Sequence, residues 1–100
     1  MKLKTTSHLP TEKEAEKISR KLLEEELAAG TLITETRTQY IWKEELRDEN
    51  YWKLEVFTSK QNRKEVESTV KDLSSEEVPA IYFDELKGTE EFEQWIKNNS

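Results

Sequence analysis

The feature of this sequence that most constrains its fold is a long stretch in which side chains alternate with a period of two. From Leu32 to Trp42 one face carries Leu, Thr, Thr, Thr, Tyr and Trp, and the other carries Ile, Glu, Arg, Gln and Ile. β-Branched and aromatic residues at this spacing are typical of a strand. A second alternating run covers residues 51–57, so the two runs predict an antiparallel hairpin. The polar segment 43–50 is interpreted as its turn.

This hairpin is longer than a small sheet can cover, because an average strand has only about 5–6 residues. Its aromatic tip therefore needs something to pack on. Only 33% of the 100 residues are hydrophobic and 38% are charged, so the core is thin, and no cysteine is available for a disulfide. The hairpin favours assembly of identical subunits, although a polar monomer stays open.

The first helix is predicted from both of its ends. Thr11 and Glu14 match a capping box, in which the Thr11 hydroxyl accepts from the Glu14 amide and the Glu14 carboxylate reaches back to the Thr11 amide. Apolar residues then follow at helical spacing until Gly30, which is suited to a left-handed C-terminal cap. We expect a helix over residues 12–29.

Two further helical segments follow the hairpin. Ser59 and Thr89 are interpreted as their N-caps. The apolar residues at helical spacing are Val66, Val70 and Leu73 in the first segment, and Phe92, Trp95 and Ile96 in the second.

Two short segments complete the set of strands. Residues 3–6 alternate weakly, and Ala80–Phe83 is an apolar run interpreted as a buried strand, since the proline before it disfavours helix. The order βαββαβα predicts an α+β, ferredoxin-like βαββαβ sandwich with an extra C-terminal helix, as a single domain over residues 1–100. Helices on one face of the sheet would leave the other face open to assembly.

Composition narrows the function. The net charge is −6 and the 16 basic residues are interleaved with 22 acids, a balance that argues against nucleic acid as a partner. No stretch approaches the ~20 apolar residues of a membrane span, and the first residues lack the apolar core of a signal peptide. The sequence is therefore expected to act in the cytoplasm, without a membrane.

Five short motifs lie along the chain in an order that matches one known family. They are Thr5-Thr6 in the first strand, Leu27-Ala28-Ala29 after the first helix, the aromatic pair Tyr40 and Trp42, the signature Glu77-Val78-Pro79, and Trp95 in the last helix. With these motifs the chain resembles the CutA divalent-cation tolerance proteins over nearly its whole length.

The resemblance implies a non-enzymatic, cytoplasmic homotrimer of ferredoxin-like subunits, similar in architecture to the PII signalling proteins and linked to copper and other divalent cations. It also implies that the hairpin and the C-terminal region reach neighbouring subunits. The candidates for an intersubunit cleft or interface are Tyr40, Trp42, Glu77, Val78, Pro79 and Trp95. Of these, Glu77 would either hydrogen-bond a ligand or only satisfy backbone amides.

The chain departs from the family at three places, and the first two of them concern metal binding. The family's usual cysteine is Gly30 here, its His-Pro-Tyr is Ser74-Ser75-Glu76, and its Gly-Lys-Ile turn is Glu44-Glu45-Leu46. Thiolate and imidazole are the ligands that copper and zinc sites use. The lone imidazole, His8, is interpreted as an exposed residue of a connecting segment. No cofactor is therefore certain, the metal ligands are unknown, and copper is implied by the resemblance only.

The sequence offers little support for other chemistry. Paired acids such as Asp48-Glu49 in the turn would bind a hard cation weakly, but a solvated surface is the better interpretation. No glycine-rich phosphate loop or Gly-x-Ser-x-Gly motif is present, so no enzyme is expected, and a small hydrolase that uses Arg37 or Arg47 is the least favoured hypothesis. The alternative function is a PII-like or ACT-like regulatory module that binds a small ligand between subunits.

Overall fold

The elements of the computed structural model, which describes residues 1–100, follow the predicted order with one added turn of 3-10 helix. They are β1 (Lys2–Leu9), α1 (Glu12–Glu24), β2 (Gly30–Trp42), β3 (Glu45–Ser59), the 3-10 turn Lys60–Asn62, α2 (Arg63–Leu73), β4 (Ala80–Leu86) and α3 (Glu90–Asn99). All strand pairs are antiparallel and form one sheet in the order β2-β3-β1-β4. This is the ferredoxin-like arrangement with an additional C-terminal helix, so the predicted fold class is confirmed.

The hydrophobic core lies between the sheet and the helices α1 and α2. Because successive side chains of a strand point to opposite faces, Leu54 and Val56 of β3 face these helices and are fully buried. Burial of such a side chain contributes about 1.5–3 kcal/mol. The core cluster comprises Leu9, Ala15, Ile18, Leu22, Leu27, Ala28, Leu54, Val56, Val66 and Val70.

The third helix lies on the other face of the sheet, where we expected no helix. Phe57 follows Val56 and therefore points away from the core, and its ring meets the ring of Phe92 edge to face at 5.7 Å. Ile96 of the same helix is fully buried. One corner of the second face is thus covered by α3, and the expectation that helices cover only one face is wrong.

The first helix ends five residues earlier than predicted. Glu26, not Gly30, adopts the left-handed conformation, with φ 58°. The Leu27 amide donates to the Leu22 carbonyl at 2.9 Å and the Glu26 amide to the Leu23 carbonyl at 3.2 Å, which together form a Schellman cap. The early end returns the chain so that the Leu27 side chain enters the core.

Gly30 instead begins β2, where it makes room for an aromatic ring. A Cβ atom at this position would lie 2.8 Å from Cη2 of Trp95, closer than carbon atoms approach without strain. Glycine at this position therefore lets the Trp95 ring of α3 pack closely on β2 and does not serve as a helix cap.

Three other element boundaries also differ from the sequence interpretation. β1 continues to Leu9 and so includes His8. β4 extends to Leu86 and is partly exposed, because it is an edge strand and not a buried one. Ser59 does not cap α2 as predicted: it precedes the 3-10 turn, and its hydroxyl forms a hydrogen bond with that of Ser100. The residue before α2 is Asn62.

The hairpin is longer and its turn shorter than predicted. Only Lys43 and Glu44 connect the strands, and both have positive φ, 51° and 67°, as a two-residue primed turn requires. β1 pairs with β3 only from Trp52 to Ser59. Residues 36–51, here called the hairpin arm, are therefore paired only with each other and extend beyond the rest of the sheet.

Candidate functional site

A cleft of about 600 Å³ lies between the hairpin arm, the end of β1 and the start of β4. The position of the cleft follows from the pairing of Ala80, the first residue of β4, with His8. This pairing brings the segment 74–79 alongside the arm. We call it the arm cleft. It is lined by His8, Pro10, Thr38, Gln39, Tyr40, Trp42, Arg47, Glu49, Tyr51, Glu76, Val78 and Ala80.

A chain of oxygen atoms crosses the arm cleft. The Tyr51 hydroxyl donates to Glu76 Oε1, and the Tyr40 hydroxyl donates to Glu49 Oε2 at 2.8 Å. The two hydroxyl oxygens are 3.0 Å apart, and the two rings meet edge to face with centroids 5.8 Å apart. This chain joins the arm to the segment between α2 and β4, so the arm is tied to the body of the protein through polar groups.

The protonation state of Tyr51 follows from its surroundings. Partial burial, then its hydrogen bonds to Glu76 and Tyr40, raise the pKa of the Tyr51 phenol far above its ordinary value of 10.0. The hydroxyl therefore remains a hydrogen-bond donor at every physiological pH.

His8 lies at the side of the cleft and not in an exposed loop, so our interpretation of it was wrong. Its Nε2 is 2.8 Å from the Tyr82 hydroxyl, and the two rings meet edge to face. Desolvation, with a smaller contribution from the nearby Lys53 ammonium, lowers the pKa of His8 below 6.5. The imidazole is accordingly neutral at pH 7.

The rim of the cleft holds two cations that already have partners. The Lys43 ammonium lies 3.6 Å from Glu77 Oε2 and 5.6 Å from the centroid of the Trp42 ring. The guanidinium of Arg47 is 3.6 Å from a carboxylate oxygen of Glu45 and 3.6 Å from one of Glu49.

The structure brings together most of the residues singled out in the sequence. Tyr40, Trp42 and Val78 line the arm cleft, Pro79 lies between two lining residues, and Glu77 contacts its rim through Lys43. Trp95 lies elsewhere: its ring packs on Gly30, at the opposite end of β2 from Trp42, and stacks on Phe92 with centroids 5.7 Å apart.

Of the twelve lining residues, the sequence candidates included only Tyr40, Trp42 and Val78. The missed residues with a polar group in or beside the oxygen chain are His8, Glu49, Tyr51 and Glu76. Assignment of segment 43–50 to the turn hid Glu49. A two-residue turn would have paired Thr38 with Glu49 and Thr36 with Tyr51, which places both side chains on the face of Tyr40.

The Asp48-Glu49 pair is not a loop clamp for a cation. Both residues belong to β3 and so point to opposite faces. Asp48 accepts bonds from Arg37 Nη2 at 2.6 Å, Arg37 Nε at 3.0 Å and Gln39 at 3.1 Å, and the Arg37 guanidinium lowers the pKa of this carboxyl. No group of three or more His, Cys, Asp or Glu side chains within the chain is arranged to hold a metal ion.

The sheet order, the overlong hairpin arm and the polar aromatic cleft beneath it define the class of protein: a ferredoxin-like domain with an extended central hairpin. Residues 4–99 match the model of the family described as CutA1 divalent ion tolerance protein. The chain belongs to this family, which confirms the resemblance inferred from its motifs.

Individual relatives agree with this assignment. The chain is 31% identical over 94 residues to the divalent-cation tolerance protein CutA of Thermotoga maritima, with 93% of each chain covered. A solved structure from Archaeoglobus fulgidus, described as the periplasmic divalent cation tolerance protein CutA, is 28% identical with a TM-score of 0.95 and covers 99% of this chain and 98% of its own. The divalent cation tolerance protein Cut A1 of Thermus thermophilus is 27% identical with a TM-score of 0.94, over 100% of this chain and 99% of its own.

The three α-helices of the structure have 13, 11 and 10 residues. None of them combines the length and the apolar character needed to cross one.

Proposed function

We propose that the chain works as a non-enzymatic, cytoplasmic homotrimer in the response to divalent cations. The observation that carries the proposal is the hairpin arm, which leaves Ile41 and Leu46 67% and 71% exposed directly opposite each other. Val78, beside the arm cleft, is 67% exposed as well. Apolar side chains presented on a projecting ribbon are well suited to contact further copies of the same chain.

The divalent-cation part of the proposal rests on membership of the family and on carboxylates. Glu49, Glu76 and Glu77 lie in or beside the arm cleft and offer oxygen ligands, which suit hard cations better than copper. Because no three of these carboxylates are arranged as a metal site within the chain, we infer that a cation binds only weakly, through one or two of them at a time. Any response to copper does not use the family's cysteine and histidine, because those positions hold other residues.

The assembly is tested by measuring the mass in solution. Light scattering at micromolar concentration should give three times the 11.9 kDa of the chain. The double variant Ile41→Glu, Leu46→Glu should shift the mass to that of a monomer, because charges then replace the apolar pair. Leu23→Glu, which changes an exposed leucine of α1, serves as the matched control and should leave the mass unchanged. A monomeric wild-type chain would sink the proposal.

The cation contact is tested separately by calorimetry with Mg²⁺ and Cu²⁺. The double variant Glu76→Gln, Glu77→Gln should weaken binding, while the double variant Glu16→Gln, Glu24→Gln, which removes the same charge from the exposed face of α1, should not. Equal weakening by all variants would mean that only the general negative charge attracts the ion.

A second candidate function is supported by the arm cleft itself. Its volume of about 600 Å³ lies within the range of roughly 300–1,000 Å³ that small-ligand sites occupy. This supports a PII-like or ACT-like module that binds a small organic ligand next to the arm. A thermal-shift screen with nucleotides, amino acids and amines tests this function. If none of these compounds raises the melting temperature, this candidate is removed.

A further inference from the structure

We propose that the arm cleft binds an alkylammonium ion, whose N–H groups bond the oxygens of Glu49, Glu76 and Tyr40 while its alkyl chain lies against Trp42. This inference rests on the second candidate function and names the class of its ligand.

The first argument is a shortage of hydrogen-bond donors in the oxygen chain. Three contacts join Glu76, Tyr51, Tyr40 and Glu49, but the two phenols supply only two protons. Both protons are directed at carboxylates, so the contact between the two phenol oxygens has none. Glu76 Oε2 also accepts no hydrogen bond from the chain. A ligand that brings several N–H donors would complete this set, whereas an anion or a carbonyl group would add further acceptors.

The second argument is an ammonium group that the cleft rim already holds. Lys43 places its Nζ between the Trp42 ring and the Glu77 carboxylate. An aromatic face beside a carboxylate is the environment that stabilises an organic cation. Lys43 thus places an ammonium group where we propose that a free amine binds, and it competes with that amine for the Trp42 face.

The third argument is the charge balance of the cleft lining. Arg47 is shared by Glu45 and Glu49, and His8 is neutral at pH 7. The lining groups therefore carry one positive and two negative charges, on a chain whose net charge is −6. The long-range field attracts cations to the site.

The experiment is calorimetric titration of the full chain with 1,4-diaminobutane, beside butane-1,4-diol as the uncharged analogue of the same length. The amine should bind, more weakly as salt is added, and the diol should not. The bis(trimethylammonium) derivative of the same butane chain, a dication without N–H groups, should bind at least about tenfold more weakly, as expected for loss of a charge-assisted hydrogen bond.

Three variants locate the site. Glu76→Gln should weaken the binding of diaminobutane about tenfold, since it removes one charged acceptor. Lys43→Met should strengthen it several-fold, because the ammonium that competes for Trp42 is removed while an unbranched side chain only one atom shorter is kept. Glu16→Gln makes the same change of charge outside the cleft and should leave the affinity unchanged. Thermal melting verifies that each variant is folded.

Equal binding of the diol, equal weakening by Glu16→Gln and Glu76→Gln, or weaker binding by Lys43→Met would each overturn the proposal. The mass of the same sample separates this test from that of the assembly. A monomer that binds diaminobutane would refute the trimer alone, and a trimer that does not bind it would refute only the ligand.

Discussion

Substitution of Gly30 by alanine tests the packing of α3 against the start of β2. The new methyl carbon would lie 2.8 Å from Cη2 of Trp95, about 0.7 Å short of the closest comfortable contact of 3.5 Å between carbon atoms. Trp95 is itself stacked on Phe92, so its indole cannot swing away without loss of that contact.

The expected magnitude is the balance of two effects. Overpacking of this kind costs about 1–3 kcal/mol of unfolding free energy. Alanine in place of glycine returns about 0.4–1 kcal/mol, because the unfolded chain becomes less flexible and φ at Gly30 is not positive. Gly30→Ala should therefore destabilise the protein by about 1 kcal/mol, whereas the same change in a Trp95→Ala background should stabilise it by about 0.5 kcal/mol.

Denaturant titration of the four chains of this cycle, at one protein concentration, measures the effect. Gly88→Ala is the matched control, since its methyl carbon would lie at an ordinary 3.5 Å from Phe92 and should not destabilise the protein. If Gly30→Ala were equally destabilising with and without the Trp95 ring, the contact would not be the cause and the reasoning would be refuted.

Two further predictions concern the hairpin turn and the cleft histidine. Glu44→Gly should raise the unfolding free energy by about 1 kcal/mol in denaturant titration, because φ is 67° at this position. Glu45→Gly, inside β3, should lower the unfolding free energy by about 0.5–1 kcal/mol. A lower unfolding free energy for both variants would contradict the assigned turn. For His8, the pKa is lower in the folded state than in the unfolded chain, so protonation of the imidazole favours unfolding. The free energy of unfolding should therefore fall as pH drops below 6.5, and it should fall less in the His8→Gln variant. An identical pH profile for the variant would refute the assignment.

The sequence predicted those elements whose signals are local. The Thr11 hydroxyl does accept from the Glu14 amide at 3.1 Å, and Thr89 accepts from the Phe92 amide, so both helix starts were readable. The Glu14 carboxylate, however, bonds the Thr11 hydroxyl and Ser75 instead of the Thr11 amide. Ser75 is 61 positions away, and no helix rule contains it.

The errors share a physical cause, which is that tertiary contacts overrode local preference. Glutamate and lysine are poor residues for positive φ, yet Glu26, Lys43 and Glu44 adopt it because the strands and the core beyond them fix the path of the chain. The arm cleft was only half predictable for the same reason. Its motif residues Tyr40 and Trp42 were found, but partners such as Glu76 become visible only when the register of the hairpin is known.

The hairpin arm and the rest of the molecule also differ in local stability. Its backbone hydrogen bonds run only between its own two strands, and an isolated two-stranded ribbon is marginally stable in water. The tip can therefore fray and re-form while the hydrophobic core stays intact, so opening at the tip and global unfolding are separate events. A sister subunit or a small molecule bound to the tip would therefore lower the frequency with which the ribbon opens. Binding at the tip could then be detected as reduced backbone mobility of the arm, far from the core.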